Sequence, residues 1–152
     1  MQLTVILLTT ISALLPSTIA NPIAVPVLPD QQEERWLVTD THRICDHFDT
    51  FCSWAFQIRT NIGRYAPVPC AVPVRDDKEN RIPASHGHAE DYKCGPYQVS
   101  VRWEGMFGAG NGYTTLAIVD HQAKLGIWPA YADWQVEGGK LAMDQEISPR
   151  PW

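Results

Sequence analysis

The sequence predicts a mainly β protein, an antiparallel β-sandwich or small β-barrel stapled by two disulfides. Apolar and polar residues alternate over 53–59 and 97–104, as they do in half-buried strands. Glycine-rich turns divide the second half of the chain, and no long apolar series has helical spacing. The third observation is an even set of cysteines, namely Cys45, Cys52, Cys70 and Cys94.

Residues 1–20 have the pattern of an export signal. They carry no charged side chain, contain an apolar run over 3–15, and have small residues at positions 18 and 20. This run is too short to span a bilayer. We therefore expect cleavage after Ala20 and a secreted, extracellular protein whose cysteines form two disulfides. Four cysteines can pair in three ways, of which we favour Cys45 with Cys52 and Cys70 with Cys94.

The first half of the mature chain is predicted to be irregular. Residues 21–34 contain three prolines and then a polar run, so we expect a flexible lead-in before a single secreted β domain over 35–152. Within that domain we expect a short helical turn near 42–48 and a strand from Ser53. A long proline-rich connection over 63–96 follows, with a short edge strand around 71–74.

The second half is predicted to be a meander of short strands. Asn111-Gly112 favours a tight turn, residues 120–124 form a polar turn, and Gly138-Gly139 is predicted to join two further strands. The strands are expected over 97–104, 113–119, 125–128, 131–136 and 140–143.

Charge excludes some classes of partner. The chain has 12 Lys and Arg against 17 Asp and Glu, a formal net charge of -5 at pH 7. This balance opposes binding to nucleic acid or to an acidic membrane surface. We expect a monomer.

Two histidines invite a metal interpretation. His86 and His88 would point to one side of an extended segment, where His42, His47 or Asp91 would complete a ligand set. A histidine pair in a proline-rich loop is more often polar surface, and the cysteines are used in disulfides. We therefore expect no metal and no cofactor.

A second constellation suggests acid–base chemistry. Arg102 and Glu104 share one face of the predicted strand, and His121 lies in a turn two segments later. A carboxylate base, an imidazole acid and a guanidinium are the groups that a metal-independent ribonuclease uses. The string WEGMF over 103–107 resembles the glutamate strand of small fungal guanyl-specific ribonucleases. The alternative that we favour is the solvated face of an amphipathic strand.

Aromatic and apolar side chains form a third constellation. Glycine-rich turns and the corner at Pro129 would display apolar groups that a pure scaffold would hide. We predict a contact surface made of Met106, Phe107, Tyr113, Tyr131 and Trp134.

Part of the second half resembles a known family. The matching strings are VRWEGMFG (101–108), GYTTL (112–116), VD (119–120) and WPAYADWQ (128–135). They resemble small secreted fungal four-cysteine effectors or elicitors of the type that induces the hypersensitive response. The resemblance implies action outside the fungal cell on host plant tissue, through an unidentified host protein or cell-surface component. It implies no catalytic residue. A structural protein of the fungal wall or surface is the remaining alternative.

Overall fold

The described residues form ten strands. The computed structural model describes residues 33–108 and 110–152. The strands are β1 (Trp36–Cys45), β2 (Phe51–Thr60), β3 (Val68–Arg75), β4 (His88–Cys94), β5 (Tyr97–Glu104), β6 (Tyr113–Asp120), β7 (Leu125–Ile127), β8 (Ala130–Ala132), β9 (Gln145–Ile147) and β10 (Arg150–Pro151). A short helix, α1 (Asp133–Val136), lies between two 3-10 turns, Ala84–His86 and Glu137–Gly139.

The strands make two antiparallel sheets. Sheet 1 has the order β3-β2-β1-β9, and sheet 2 has the order β10-β7-β6-β5-β4. Strands β5 to β7 are neighbours in sequence and in space, which confirms the first three strands of the predicted meander. Strands β7 and β8 both pair with β6, and the corner at Trp128 and Pro129 separates them.

The sheets pack face to face as a sandwich, and within the described residues they do not close into a barrel. The core consists of the inward residues of both sheets, because alternate residues of a strand point to the same face. Rings from the two sheets meet directly. Trp36 contacts Tyr97 at 5.2 Å between ring centroids, and Trp54 contacts Tyr131 at 6.2 Å.

The two disulfides have different structural roles. Cys45–Cys52 joins residues that face each other in the β1–β2 ladder, so it closes a hairpin within sheet 1. Cys70–Cys94 joins β3 to the end of β4, so it links the two sheets. The favoured pairing is confirmed. Neither bridge holds an irregular half against a regular one, because both halves are built from strands.

The prediction of an irregular first half is wrong. Residues 42–45 lie in β1 rather than in a helical turn, and the connection over 63–96 contains both β3 and β4. A register shift between Thr39 and His42 in β1, and another between Ala89 and Tyr92 in β4, interrupt the alternation that marks a strand. The predicted edge strand is present and longer than expected.

Two strands predicted near the C-terminus are also wrong in their bounds. The segment from Tyr131 leaves β8 after Ala132 and turns into α1, where the Ala132 N–H donates to Oε1 of Gln135 at 2.8 Å. Gly138-Gly139 lies in a 3-10 turn, and the last strand of sheet 1 is β9 rather than 140–143.

The predicted export signal over 1–20 lies outside the described residues, as does the lead-in except for Glu33 and Glu34. Both of these boundaries stay predictions. Within the described part of the chain, no helix has the length and apolar character needed to cross a membrane.

Candidate interaction surface

Three of the predicted contact residues are strongly exposed. Met106 and Phe107 lie in the turn between β5 and β6 with 74% and 65% of their surface exposed, and Trp134 in α1 is 66% exposed. Tyr113 begins β6 and is half-buried, and its ring lies 5.8 Å from that of Phe107. These residues belong to loops or element ends, where side chains are free to contact a partner.

Tyr131 is buried, so its predicted exposure is wrong. Strand β8 pairs with β6 and places Tyr131 opposite Thr114, on the inward face. Its hydroxyl lies 3.1 Å from the Thr41 hydroxyl. Burial raises the pKa of Tyr131, and the hydrogen bond with Thr41 opposes that shift. Tyr131 is therefore a core residue that connects the two sheets.

A partly buried polar network fixes the turn and the short helix that carry the exposed rings. Asp133, at the start of α1, accepts a hydrogen bond from Nε1 of Trp103 at 3.0 Å and another from Nη1 of Arg43 at 3.2 Å. The same Arg43 nitrogen donates to the Ser85 carbonyl at 2.9 Å. The His86 ring stacks on Trp103 with 3.9 Å between centroids. One carboxylate thus ties α1 to both sheets.

The β5–β6 turn fits against this network because it contains glycine. A Cβ at Gly112 would lie 2.4 Å from Oδ2 of Asp133, and a Cβ at Gly105 would lie 2.2 Å from the Trp103 ring. The Asp133 N–H also donates to the Gly112 carbonyl at 2.9 Å. The turn that displays Met106 and Phe107 is therefore pressed directly onto Trp103.

The outward face of sheet 2 carries a groove of about 580 Å³. Its lining includes two of the predicted contact residues, Met106 and Tyr113, and both Arg102 and Glu104. It also includes Trp128, which is 44% exposed. Trp128 is not among the predicted contact residues, although the sequence places it beside the corner at Pro129.

The proposed ribonuclease residues are not brought together. Arg102 and Glu104 do lie on one face of β5, and Arg102 forms an exposed ion pair with Glu90 at 3.7 Å. His121 instead contacts Gln98, six residues before Glu104 on the same strand, which corresponds to about 20 Å. The histidine nearest to Arg102 in register is His88, directly opposite it on β4.

The histidine pair is divided between two environments. His86 is stacked on Trp103, whereas His88 lies on the outward face of β4. Among residues 33–108 and 110–152, the one group of three possible ligands within metal-binding reach is Cys45, Asp49 and Cys52. Both sulfurs are in a disulfide, so this group offers no thiolate.

Sequence reasoning missed Arg43 and Asp133. Arg43 is 7% exposed and lies over the Trp54 ring at 5.6 Å. A charged residue within a strand pattern is normally taken as outward, and nothing nearby in sequence reveals a partner 90 residues away. The network was therefore accessible only from the three-dimensional structure.

The fold and surface describe a small disulfide-bonded β-sandwich that displays apolar side chains on fixed loops. Sequence comparison assigns it to a family. The family model described as Effector TSP1 matches residues 37–151. The chain is 36% identical over 106 residues to the protein named Effector TSP1 from Hypocrea virens (strain Gv29-8 / FGSC 10586), covering 70% of this chain and 68% of that protein.

The chain therefore belongs to the Effector TSP1 family, a family of small fungal effectors. This confirms the resemblance to fungal effectors found in the sequence. The matched region runs from the second residue of β1 to the last residue of β10, so it includes both sheets, both disulfides and the exposed loops.

Proposed function

We propose that this effector is secreted, acts outside the fungal cell on host plant tissue, and induces host defence by binding a host protein or cell-surface component. Membership of an effector family supports action on a host. Two disulfides are typical of proteins that leave the reducing cytosol. The export pattern of residues 1–20 agrees with both.

The observation that carries the proposal is the exposure of Met106, Phe107 and Trp134 on a turn and a short helix held by a partly buried network. Exposing large apolar groups costs solvation free energy, and such groups together favour a contact surface. Aromatic side chains on a rigid support lose little conformational entropy when they bind a partner. Tyr113 belongs to this surface through its contact with Phe107.

Binding is favoured over catalysis by the position of His121. A ribonuclease that uses Glu104, Arg102 and His121 needs all three groups around one phosphodiester. His121 contacts Gln98, which lies about 20 Å along β5 from Glu104, and this separation supports the binding alternative. Incubation of the mature protein with RNA, beside Glu104→Gln, tests it, and cleavage lost in that variant would contradict a binding-only role. The proposed action as a monomer stays a prediction.

Alanine substitution tests the contact surface. We expect the triple variant Met106→Ala, Phe107→Ala, Trp134→Ala to reduce the potency of the host defence response about tenfold or more, because truncated interface anchors lose binding free energy. Infiltrating purified, oxidised protein into leaf tissue and measuring cell death against dose gives the potency.

Trp152→Ala is the matched control, because Trp152 is 57% exposed and contacts His121, away from the β5–β6 turn. We expect it to retain full potency. A native near-UV circular dichroism spectrum for the triple variant, together with unchanged potency, would refute the surface. Recovery of the protein only in the fungal wall fraction, and not in culture fluid or host apoplast, would favour the structural wall protein instead.

A further inference from the structure

A second depression adjoins the groove on the outward face of sheet 2. It has a volume of about 450 Å³ and shares Arg102 and Glu104 with the groove of about 580 Å³. We refer to these two adjoining depressions together as the sheet-2 channel, which lies over β4, β5 and β6 and beside the segment that carries Arg81. Its ends differ in chemistry, and this difference indicates the kind of ligand that it fits.

One end of the sheet-2 channel is rich in basic groups. Arg81, His86, His88 and Arg102 line it, with Glu104 as the one carboxylate among its lining residues. Strand register places His88 directly opposite Arg102. The partner of Arg102, Glu90, lies 3.7 Å away, and both side chains are about two thirds exposed. An exposed ion pair of this kind opens and re-forms readily. The Arg102 guanidinium is therefore free to bind a ligand carboxylate in a bidentate manner.

The other end offers flat rings and hydrogen-bonding groups. Tyr113 and Trp128 line it together with the Thr115 hydroxyl and the Glu90 carboxylate. Exposed rings pack against the C–H face of a sugar, while carboxylates and hydroxyls bind its hydroxyl groups. The open floor of the channel is a pleated sheet, which suits an extended chain of sugar units.

We infer that the sheet-2 channel binds an acidic oligosaccharide that carries uronic acid units. Carboxylates of the sugar pair with Arg102 and Arg81, sugar hydroxyls donate to Glu104 and Glu90, and ring faces pack on Trp128 and Tyr113. The inference deepens the proposed function and rests on it, because Met106 and Tyr113 belong to both surfaces.

An acidic sugar fits better than RNA. The channel contains Glu90 and Glu104 beside its arginines, so a ligand needs hydroxyl donors for these carboxylates as well as negative charge. RNA carries one negative charge and one ribose hydroxyl donor per nucleotide, whereas a 1,4-linked uronic acid unit carries one carboxylate and two ring hydroxyl donors. A uronic acid has both a carboxylate for the guanidinium and hydroxyl donors for the glutamates, so it satisfies both signs of charge.

The probe is an α-1,4-linked galacturonate tetramer, and the matched control probe is its fully methyl-esterified form. The ester keeps the ring faces and removes the charges. We expect the free acid to bind, with amide shifts in a nuclear magnetic resonance titration at β4, β5 and β6 and at the segments that carry Arg81 and Trp128. We expect the ester to bind about tenfold more weakly or not at all, because charge-assisted hydrogen bonds are lost.

Two variants locate the site. Arg102→Gln and Trp128→Ala should each weaken binding of the tetramer about tenfold, measured by calorimetry. Arg59→Gln is the control, because Arg59 is an exposed arginine on β2 of sheet 1, and it should bind like the unsubstituted protein. Native circular dichroism spectra of all three exclude misfolding as the cause.

The inference would be overturned by no binding of the tetramer, by equal affinity for acid and ester, or by shifts confined to sheet 1. Tighter binding of a short RNA at the channel would also overturn it in favour of a nucleic-acid ligand. The proposed function is tested separately, because Arg102→Gln leaves Met106, Phe107 and Trp134 in place. Loss of leaf response in the triple variant, without any sugar binding, would leave the proposed function standing.

Discussion

Asp133 illustrates how one side chain positions the contact surface. Its two oxygens accept from Trp103 on β5 and from Arg43 on β1, and it is the first residue of the helix that carries Trp134. Arg43 is almost fully buried, so its charge needs this partner. The exposed ring of Trp134 therefore follows directly on a partly buried ion pair, whose Asp133 is the preceding residue in the chain.

Asp133→Asn is expected to destabilise the protein by about 2 kcal/mol. The change leaves the Arg43 charge without its counter-ion, but 23% of the Asp133 side chain is exposed, so the loss is smaller than for a fully buried pair. Denaturant unfolding followed by tryptophan fluorescence measures it.

Glu90→Gln is the control for this prediction. It breaks the Arg102–Glu90 pair, in which both side chains are exposed, and should change stability by less than about 1 kcal/mol. Equal effects of the two substitutions would mean that the Arg43–Asp133 pair does not hold the start of α1 against the sheets.

The strands show where sequence patterns succeed and fail. Alternation identified β5 and the middle of β2, because their inward residues keep a strict period of two. In β1 the chain passes through Asp40 at a φ of 56°, and in β4 through Asp91 at 57°. Each bulge shifts the inward face by one residue, so the alternation is lost although the strand continues.

Only the part of the candidate surface that depends on local sequence signals could be predicted. Glycine-rich turns correctly indicated exposed Met106 and Phe107, because such turns leave the sheet. Tyr131 could not be assigned from its neighbours, since its burial depends on the pairing of β8 with β6. The Arg43–Asp133 contact has a sequence separation of 90, which no local pattern encodes.

Gly112→Ala tests the contact between the β5–β6 turn and the polar network. The added Cβ would overlap Oδ2 of Asp133 and the Trp103 ring, so we expect a loss of about 1 to 3 kcal/mol in unfolding free energy. The indole N–H resonance of Trp103 should shift, because its hydrogen bond to Asp133 is displaced.

Gly63→Ala serves for comparison. Gly63 has a φ of 63° and no atom within 4 Å of an added Cβ, so alanine there adds backbone strain without a contact. The Trp103 indole N–H resonance of the Gly63→Ala variant should stay unchanged. If Gly112→Ala also left that resonance in place, the turn would not be seated on Trp103.

On the scale of the whole molecule, the disulfides and the ring contacts hold two sheets together. Trp36 with Tyr97 and Trp54 with Tyr131 bridge the sandwich interior, and Cys70–Cys94 joins its sheets covalently. Cys45–Cys52 acts only within sheet 1. The even number of cysteines predicted two disulfides, whereas only the structure shows which strands and sheets each disulfide joins.

Removing the inter-sheet disulfide Cys70–Cys94 should lower the free energy of unfolding more than removing the hairpin disulfide Cys45–Cys52. The sequence separations are 24 and 7 residues. Restriction of the unfolded chain then contributes about 3.5 kcal/mol for Cys70–Cys94 and about 2.5 kcal/mol for Cys45–Cys52. Double alanine variants of each pair, unfolded in urea under oxidising conditions, give both values. A larger loss for the Cys45–Cys52 pair would show that native-state contacts, and not chain entropy, dominate.

Strand β3 contains Pro69 and Pro73 and pairs with β2 on one side. Proline has no amide hydrogen, so both nitrogens must face away from β2, and Ala71 is left as the donor between them. A neighbouring copy that tried to extend sheet 1 along this border would find acceptors without matching donors. Fibril growth by strand addition is thereby discouraged at β3.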